Sequence, residues 1–283
     1  LGNKVVPIDM KTVDVSYNFD ISTKTVKATA TVEFTPLADG YPMFDLVPTP
    51  TVLMLDTEAL TIDTLAEVSE PNNSTKFRVL KTALEANTPH TLYVEYMVPV
   101  KFATFTADTV RSGFFMSDLA SSGREYFEQY GPANFEFDAV KYSFHVQVTG
   151  TSKEHVIFTN GELNALGNNK WKVNFADFYT ASSLYFHIAN KDYFKVNSFT
   201  YEGLAKKYPV TIYAQSQNLV DDGVRVAKKV LKELEGVYGP ITHDRVVAFI
   251  TPSGGGMEYC GGTITSIWAM EHEFTHFWFA RGV

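Results

Sequence analysis

The sequence predicts a mostly β N-terminal domain, built as a large antiparallel sheet or sandwich, followed by a smaller α+β unit. Apolar and polar residues alternate over 13–34, which is the period of half-buried strands. Short runs of the same kind recur as far as residue 189, and no helical pattern separates them. After residue 200 a helical pattern and further strands follow. We therefore expect two domains, at 1–200 and 201–283.

The first domain is expected to open with a hairpin whose loop is Ser22-Thr23-Lys24. Further strands are predicted at 77–80, 91–98, 142–148, 155–158, 171–175 and 184–189. Glycine and asparagine turn signals, such as Asn160-Gly161, punctuate these runs. The many Tyr and Phe residues could line the sugar site of a carbohydrate-binding or adhesion module. We favour the interpretation that they fill the core.

The second domain is expected to alternate strands and helices. A strand is predicted at 210–214, and apolar residues at helical spacing predict a helix over 221–238, ended by Gly239-Pro240. A strand at 245–251 follows. Residues 263–266 are then predicted to form an edge strand that leads into a last helix, which begins near Ile267 and stops at Gly282.

The last predicted helix contains the run His272-Glu273-Phe274-Thr275-His276. Residues four apart lie on one face of a helix, so the two histidines can bind one metal ion. Glu273 then lies beside the metal, where it suits a base better than a ligand. Zinc accepts imidazole ligands and lowers the pKa of a bound water to about 7, so the pattern indicates peptide-bond hydrolysis. The alternative is a buried helix whose histidines have no function.

A glycine-rich segment, Gly254-Gly255-Gly256-Met257-Glu258-Tyr259, lies just upstream of these histidines. Glycines let the backbone approach a ligand closely. A glutamate beside a metal site can hold the charged α-amine of a peptide through a charge-assisted hydrogen bond. An anchor for a free amine beside a hydrolytic metal indicates an exopeptidase.

The two motifs together resemble the M1 aminopeptidases, gluzincins that carry Gly-x-Met-Glu-Asn followed by His-Glu-x-x-His. The resemblance implies that His272 and His276 bind zinc and that Glu273 is the catalytic base. It also implies that Gly255, Gly256, Met257 and Glu258 form the strand that recognises the substrate's amino terminus. The C-terminal unit would then be the first half of a thermolysin-like catalytic domain.

The similarity fades upstream to general architecture. In this family a β domain precedes the catalytic domain, which agrees with the order of the two domains predicted here. Residues 124–138 fall where the family has an arginine, a proline-containing turn and an acidic residue. Glu128 or Gln129 could help bind an amino terminus, but we expect a solvated loop there.

Three features differ from the family. Tyr259 replaces the motif's asparagine, and the segment between the two motifs is shorter than in most members. The family's third zinc ligand is a glutamate on the next helix, downstream of Val283. We therefore expect a fragment that lacks this ligand, binds zinc weakly or not at all, and is inactive. Replacement by Glu258 or Glu271 is considered unfavourable, because Glu271 precedes His272 and points off the ligand face.

Composition excludes several classes of function. The net charge of −8 and the lack of a basic tract argue against nucleic-acid binding, and they favour cationic ligands such as peptide amino termini. The single cysteine, Cys260, excludes an internal disulfide and a Cys-rich zinc site. No apolar stretch is long enough to span a bilayer. The chain begins with Leu1, which is compatible with removal of an initiator or of a signal peptide. The sequence leaves the compartment open between cytoplasmic and, if a signal peptide was removed, extracytoplasmic.

The resemblance implies that the intact protein is a metallo-aminopeptidase that uses one Zn²⁺ to remove N-terminal residues from peptides with a free amino terminus. One alternative is a glycyl-aminopeptidase-like gluzincin, which also pairs a glycine-glutamate segment with a zinc helix. Another is a metal-free scaffold that keeps an M1-like fold to bind partners. Retention of His272, Glu273 and His276 together argues against the scaffold.

Overall fold

The computed structural model describes residues 4–69, 76–114, 127–134 and 138–280. Contacts divide the chain into two compact units, each made of two segments. The first unit is Leu1–Glu154 with Gly161–Ser182, and the second is His155–Asn160 with Ser183–Val283. The boundary predicted at residue 200 lies within a strand of the second unit, Lys195–Glu202. The division at 200 stays a prediction.

The described elements are mostly strands. In chain order the strands are β1 (Val5–Asp20), β2 (Thr25–Pro36), β3 (Tyr41–Asp45), β4 (Pro50–Leu55), β5 (Glu58–Leu60), β6 (Leu65–Ser69), β7 (Lys76–Leu80), β8 (His90–Val98), β9 (Ala103–Phe105), β10 (Val110–Gly113), β11 (Lys141–Thr149), β12 (His155–Thr159), β13 (Glu162–Gly167), β14 (Lys170–Asn174), β15 (Phe186–Asn190), β16 (Lys195–Glu202), β17 (Lys207–Ala214), β18 (Val246–Thr251), β19 (Gly256–Tyr259) and β20 (Gly262–Ser266). The α-helices are α1 (Gln217–Tyr238) and α2 (Met270–Thr275), and short 3₁₀ turns span Ile62–Thr64, Val100–Phe102, Phe127–Gln129 and Ala181–Ser183.

The first unit is built on one large sheet. Its strand order is β13-β14-β11-β1-β2-β8-β4-β5, and β3, β7 and β6 branch from β1. The prediction of a mostly β N-terminal domain with a large sheet is confirmed. Most neighbouring strands are antiparallel, but β1 runs parallel to β11 and to β3, so the sheet is mixed. Alternation of apolar residues specifies which face is buried and not strand direction, which explains why the sequence did not reveal the parallel pairs.

Aromatic side chains fill the core of this unit. Phe144 is fully buried on β11. Its ring contacts those of Tyr17 at 5.6 Å, Phe114 at 5.6 Å, Phe127 at 5.7 Å and Phe175 at 4.8 Å between centroids. Rings in edge and offset arrangements add packing energy beyond their buried area. These contacts support the interpretation that the aromatic residues pack the core.

The segment that was expected to be a solvated loop is partly buried. Residues 127–134 and 138 of this segment are described, and they include the turn Phe127–Gln129. Glu128 and Gln129 are only 5% and 3% exposed. The hydroxyl groups of Tyr17 and Tyr96 both donate to the carbonyl oxygen of Tyr130, at 3.1 and 2.9 Å. The expectation of a solvated loop is therefore wrong at these residues.

The second unit contains a sheet with the order β16-β17-β18-β20-β19, and a separate antiparallel pair of β12 and β15. β17, β18 and β20 run parallel, while β16 and β19 are antiparallel to their neighbours. The prediction that 263–266 form an edge strand is wrong, because β20 lies between β18 and β19. All five residues of β20 are buried. The strand at this edge of the sheet is β19, which the tight turn Cys260-Gly261 folds back onto β20.

Helix α1 covers the sheet of the second unit. It begins four residues earlier than predicted, because the hydroxyl of Ser216 accepts a hydrogen bond from the N–H of Leu219 and caps the first turn. It ends at Gly239, whose φ of 87° is accessible to glycine at little cost. Val220, Ala227 and Leu231 face the sheet and are fully buried. Among the described residues, none of the helices combines the length and the apolar character that a membrane span requires.

Asn160 ties the separate segment of the second unit to the rest of that unit. Its side-chain amide donates hydrogen bonds to the carbonyl oxygens of Ser183 and Cys260, both at 2.7 Å. Its amide oxygen accepts a hydrogen bond from the N–H of Tyr185 at 2.9 Å. Asn160 itself is buried, and these bonds satisfy three of the four that an amide side chain can make.

Two glycines of α1 give opposite predictions for the same substitution. A Cβ atom at Gly223 would lie 2.8 Å from Ile212 and 2.9 Å from Ile250, whereas one at Gly236 would meet open space. We expect Gly223→Ala to lower the free energy of unfolding by about 1–3 kcal/mol through overpacking. We expect Gly236→Ala to raise it by about 1 kcal/mol through helix propensity. Chemical denaturation measures both, and equal effects of the two changes would contradict the packing of α1.

Asp45 predicts a dependence of stability on pH. Burial raises the pKa of its carboxyl from 3.8 to about 7, and its Oδ1 atom is buried without a hydrogen bond in the described part of the chain. Between about pH 4 and 7 the folded state binds more protons than the unfolded state, so stability falls as the pH rises. Asp45→Asn should therefore stabilise the protein at pH 8 by about 1 kcal/mol, a figure discounted for partial exposure, and have little effect at pH 4.

Thermal and denaturant unfolding at both pH values tests this prediction. Asp177→Asn is the matched control, because Asp177 is an exposed aspartate of the same unit. It should change stability equally little at pH 4 and pH 8. A stabilisation by Asp45→Asn that is the same at both pH values would contradict the assignment.

Candidate metal centre

The two motif histidines lie on α2 and at its C-terminal end. The helix spans six residues, Met270–Thr275. It begins later than predicted, because residues 267–269 form a turn closed by a hydrogen bond from the N–H of Ala269 to the carbonyl oxygen of Ser266 at 3.2 Å. Backbone hydrogen bonds of the 3₁₀ type continue the helical turn past His276. The two histidines therefore keep a helical spacing. The stop predicted at Gly282 lies outside the described residues.

Apolar side chains hold this short helix in place. Phe274 and Phe277 are fully buried and Trp278 nearly so. They pack in one core cluster with residues of α1 and of the sheet of the second unit. The indole N–H of Trp278 also donates to the carbonyl oxygen of Gly239 at 2.8 Å, which ties the end of α2 to the end of α1.

The two imidazole rings converge. Their Nε2 atoms lie 3.3 Å apart and the rings stand at 87° to each other. Two nitrogen ligands at about 2.0–2.1 Å from one tetrahedral ion are separated by about 3.3 Å, so this spacing fits a shared zinc ion. Nδ1 of His276 lies 3.4 Å from the carbonyl oxygen of Phe279. Donation of the Nδ1 proton to that oxygen leaves Nε2 of His276 free to bind a metal.

Glu273 is buried beside the histidines. It is 4% exposed, and its Oε2 atom has no hydrogen-bond partner among the described residues. Burial raises the pKa of its carboxyl from 4.5 to about 7, with the charge of His272 acting to lower it and that of Glu258 to raise it. A carboxyl with a pKa near 7 can both accept and release a proton at neutral pH, as a general base requires.

Gly256 makes room for Glu273. A Cβ atom at this position would overlap the Cγ, Cδ and Oε1 atoms of Glu273. The glycine-rich segment therefore lets the edge strand approach the acid of α2 directly. The sequence indicated close backbone approach to a ligand, whereas the structure shows close approach to a side chain of the same site.

The glutamate motif lies on the edge strand β19. Glu258 pairs across the strand with Thr263, and the hydroxyl of Thr263 donates to the carbonyl oxygen of Met257 at 3.0 Å. The carbonyl oxygen of Gly255 accepts a hydrogen bond from the N–H of Ser266 at 3.1 Å. Among the described residues, β19 pairs with β20 on one side only. Its other side is an edge within that part of the chain, and extended peptides commonly add a strand at such an edge.

Tyr259, which stands where the motif has asparagine, is directed into the protein. It is 4% exposed, and its ring contacts Tyr185 in an edge-to-face arrangement with centroids 5.4 Å apart. Its role is therefore packing of the hairpin beneath the site.

The structure brings the acids of both motifs together with a histidine. The ligand atoms of Glu258, Glu273 and His276 all lie within 4.8 Å of one another. With His272 joined to His276 through the ring contact, four of the predicted site residues form one cluster. Sequence reasoning missed two parts of the site: the carbonyl oxygen of Phe279 beside His276, and the close approach of Gly256 to Glu273. Both involve backbone atoms, which residue types in a sequence do not reveal.

The residues fit a zinc ion. Two imidazole nitrogens at ligand spacing, a carboxylate within reach and a buried acid beside them are the donor types that catalytic zinc sites use. The buried Oε2 atom of Glu273 also lacks a protein partner in the described part of the chain, as expected of an acid that acts on a bound molecule.

The chain was compared with known proteins. The sequence matches no family profile and no curated protein. Solved structures do match. A mutant of a two-domain M1 zinc metallopeptidase bound to L-arginine superposes with a TM-score of 0.65 at 13% identity, covering 96% of this chain and 64% of that one. Aminopeptidase A of Legionella pneumophila in complex with aspartic acid gives 0.70 at 14% identity, covering 97% and 35%.

The M1 zinc metallopeptidase from Deinococcus radiodurans gives a TM-score of 0.64 at 13% identity, and the match covers 96% of this chain and 64% of that protein. The chain thus spans less than two thirds of each of these three structures. At this level of identity the likeness concerns the fold. Over almost its whole length, the chain has the fold of the M1 zinc metallopeptidases.

Proposed function

We propose that the protein is a zinc-dependent metallo-aminopeptidase that removes residues one at a time from the free amino terminus of peptides. The observation that carries the proposal is the pair of Nε2 atoms 3.3 Å apart, next to a buried acid and an open edge strand. The activity belongs to the whole protein, of which this chain supplies the residues described above. The M1 fold supports the same assignment.

His272 and His276 would hold the zinc ion. Zinc bound there supplies Lewis-acid chemistry, polarising a carbonyl group and making a water molecule more acidic. Glu273 would take the proton of the attacking water and later deliver it to the leaving amine, because its pKa near 7 lets it act in both directions. Its burial against Gly256 limits the positions that the carboxylate can take, which keeps it oriented for this transfer.

Glu258 would bind the α-ammonium group of the peptide. Glu258 lies on the edge strand β19. We expect a peptide that aligns along this edge to place its amino terminus next to the carboxylate of Glu258. A charge-assisted hydrogen bond fixes the ammonium at a set distance from the reacting carbonyl. Gly255, Gly256 and Met257 would supply the backbone on which the peptide aligns. One residue is then released in each cycle.

The buried acid argues against a non-catalytic scaffold. Burying a carboxylate without a hydrogen bond destabilises the folded state. A protein that served only to bind partners would gain nothing from such a group, and glutamine or leucine would be better tolerated at position 273. Preference among amino-terminal residues, measured on aminoacyl amides, separates a broad aminopeptidase from the glycyl-aminopeptidase-like alternative.

Removal of either motif histidine should strongly weaken zinc binding at this site. We expect His272→Ala and His276→Ala each to weaken zinc affinity by more than about 100-fold, since even the loss of an outer partner of a zinc ligand costs up to about that factor. Zinc content after dialysis and competition with a chromogenic chelator measure the effect. His145→Ala is the control, because His145 is a partly exposed histidine of the first unit and should leave zinc affinity unchanged.

A blocked amino terminus should slow cleavage strongly. For a full-length protein that contains this chain, we expect N-acetylation of a peptide to lower kcat/KM by about 100-fold, the loss of a charge-assisted hydrogen bond of up to about 3 kcal/mol. Paired peptides that differ only in the acetyl group measure the ratio by chromatography of the products. Equal cleavage of both peptides would refute the aminopeptidase assignment.

A further inference from the structure

A cavity of about 350 Å³ lies on the outer face of the large sheet of the first unit. Residues of five neighbouring strands, β13, β14, β11, β1 and β2, line it, so the cavity belongs entirely to this unit. Apolar residues of these strands, such as Val146, are buried, and the polar residues that alternate with them face the cavity. Sites for small molecules have volumes of about 300–1,000 Å³, so the cavity is large enough to hold one.

A row of four polar side chains crosses the cavity from strand to strand. Lys170 on β14 pairs with Gln147 on β11. Asn18 on β1 lies between Gln147 and Lys27 in the register of the next strands. The row therefore has a lysine at each end and two amide groups between them. Adjacent strands are about 4.8 Å apart, so the two lysines are about 14 Å apart at the backbone, and both long side chains can reach a ligand held over the amides.

The groups of this row are available to a ligand. The hydroxyl of Thr149 donates to the amide oxygen of Asn18 at 3.1 Å, which leaves the N–H₂ group of Asn18 to donate elsewhere. Within the described chain, Lys170 forms no ion pair. Lys27 pairs with Glu95 at 2.6 Å, and Glu95 also accepts a hydrogen bond from the hydroxyl of Tyr93 at 2.8 Å. The carboxylate of Glu95 thus keeps a partner when Lys27 turns toward a ligand.

A second polar row lies beside the first. Ser16 is placed between His145 and Thr29 in the same register, so two hydroxyls and an imidazole face the cavity. Nε2 of His145 lies 3.4 Å from Oδ2 of Asp14, so that acid balances the imidazole charge when the ring is protonated. The hydroxyls of Ser16 and Thr29 can donate or accept, which suits the polar body of a ligand.

The charge of the lining favours an anion. The chain has 32 acidic and 24 basic residues, yet none of the described residues that line the cavity is acidic. Lysine ammonium groups bind phosphate and carboxylate through charge-assisted hydrogen bonds. A neutral sugar commonly stacks on an aromatic ring, and the aromatic residues that line the cavity, Tyr17 and Trp171, are only 3% and 7% exposed. The lining therefore fits an anion better than a neutral sugar.

We propose that this cavity binds a small organic anion that carries a phosphate or a carboxylate group. Lys27 and Lys170 bind its acidic groups, and Asn18 and Gln147 donate hydrogen bonds between them. The cavity belongs to the first unit and the candidate metal centre to the second, so anion binding here goes beyond the proposed aminopeptidase activity and does not depend on it.

The test uses the chain of residues 1–283 and three probes: glucose 6-phosphate, succinate and glucose. Binding is measured near pH 7 at low salt by isothermal titration calorimetry. We expect at least one of the two anions to bind with a dissociation constant of about 1 mM or tighter, and glucose to bind at least about tenfold more weakly. Comparison of the two anions distinguishes a phosphate site from a carboxylate site. In a ¹⁵N-labelled chain, the anion should shift the backbone amide signals of residues 16–18, 145–147 and 170–171.

Two substitutions in the cavity and one outside it complete the test. We expect Lys170→Gln and Asn18→Asp each to weaken anion binding by at least about tenfold, the first by removing a charge-assisted hydrogen bond and the second by placing an acid in the row. Lys141→Gln is the matched control, because Lys141 is an exposed lysine of β11 that does not line the cavity. It should change the affinity by less than about twofold. Circular dichroism verifies that each variant is folded.

Three results would each refute anion binding in this cavity. The first is that neither anion binds, or that glucose binds as tightly as its phosphate. The second is that Lys141→Gln weakens binding as much as Lys170→Gln, which would indicate general attraction by surface charge. The third is that the amide shifts lie outside the strands of the cavity, a readout that needs only the unsubstituted chain and holds even if a variant fails to fold.

Discussion

Burial of the aromatic face of α2 is the interaction on which the site depends. A helix of six residues is too short to be stable alone, so its geometry comes from tertiary packing. Phe274 and Phe277 are completely removed from solvent, and each such side chain contributes about 1.5–3 kcal/mol. Because these two residues point into the core, His272 and His276 are directed toward the opposite side of the helical segment. Their Nε2 atoms lie 3.3 Å apart there.

The local features of this site could be predicted from the sequence, because they depend on spacing along one element. The i,i+4 spacing of the histidines and the buried aromatic residues between and after them follow from helical periodicity. The turn after α1 follows from Gly239-Pro240. The alternation in 13–34 likewise predicted β1 and β2. In each case the physics connects residues that are close in sequence.

The features that escaped prediction depend on how distant strands are ordered. Sequence order suggested that 263–266 form the edge of the sheet, but the turn Cys260-Gly261 folds β19 to the outside and leaves β20 buried. This reversal places Gly256 against Glu273 and brings Glu258 toward His276. A sequence pattern that reports only burial and period contains no information about such neighbours. The burial of Glu128 and Gln129 was missed for the same reason.

The discontinuity of the second unit has a consequence for how the protein can be divided. The chain leaves the first unit at His155, returns to it at Gly161 and leaves it again at Ser183. No single cut therefore separates the units. A gene fragment that starts at Ser183 would omit Asn160, and the carbonyl oxygen of Cys260 in the turn before β20 would lose its buried donor. An isolated second unit would have to be built with residues 155–160 joined to it through a new connection.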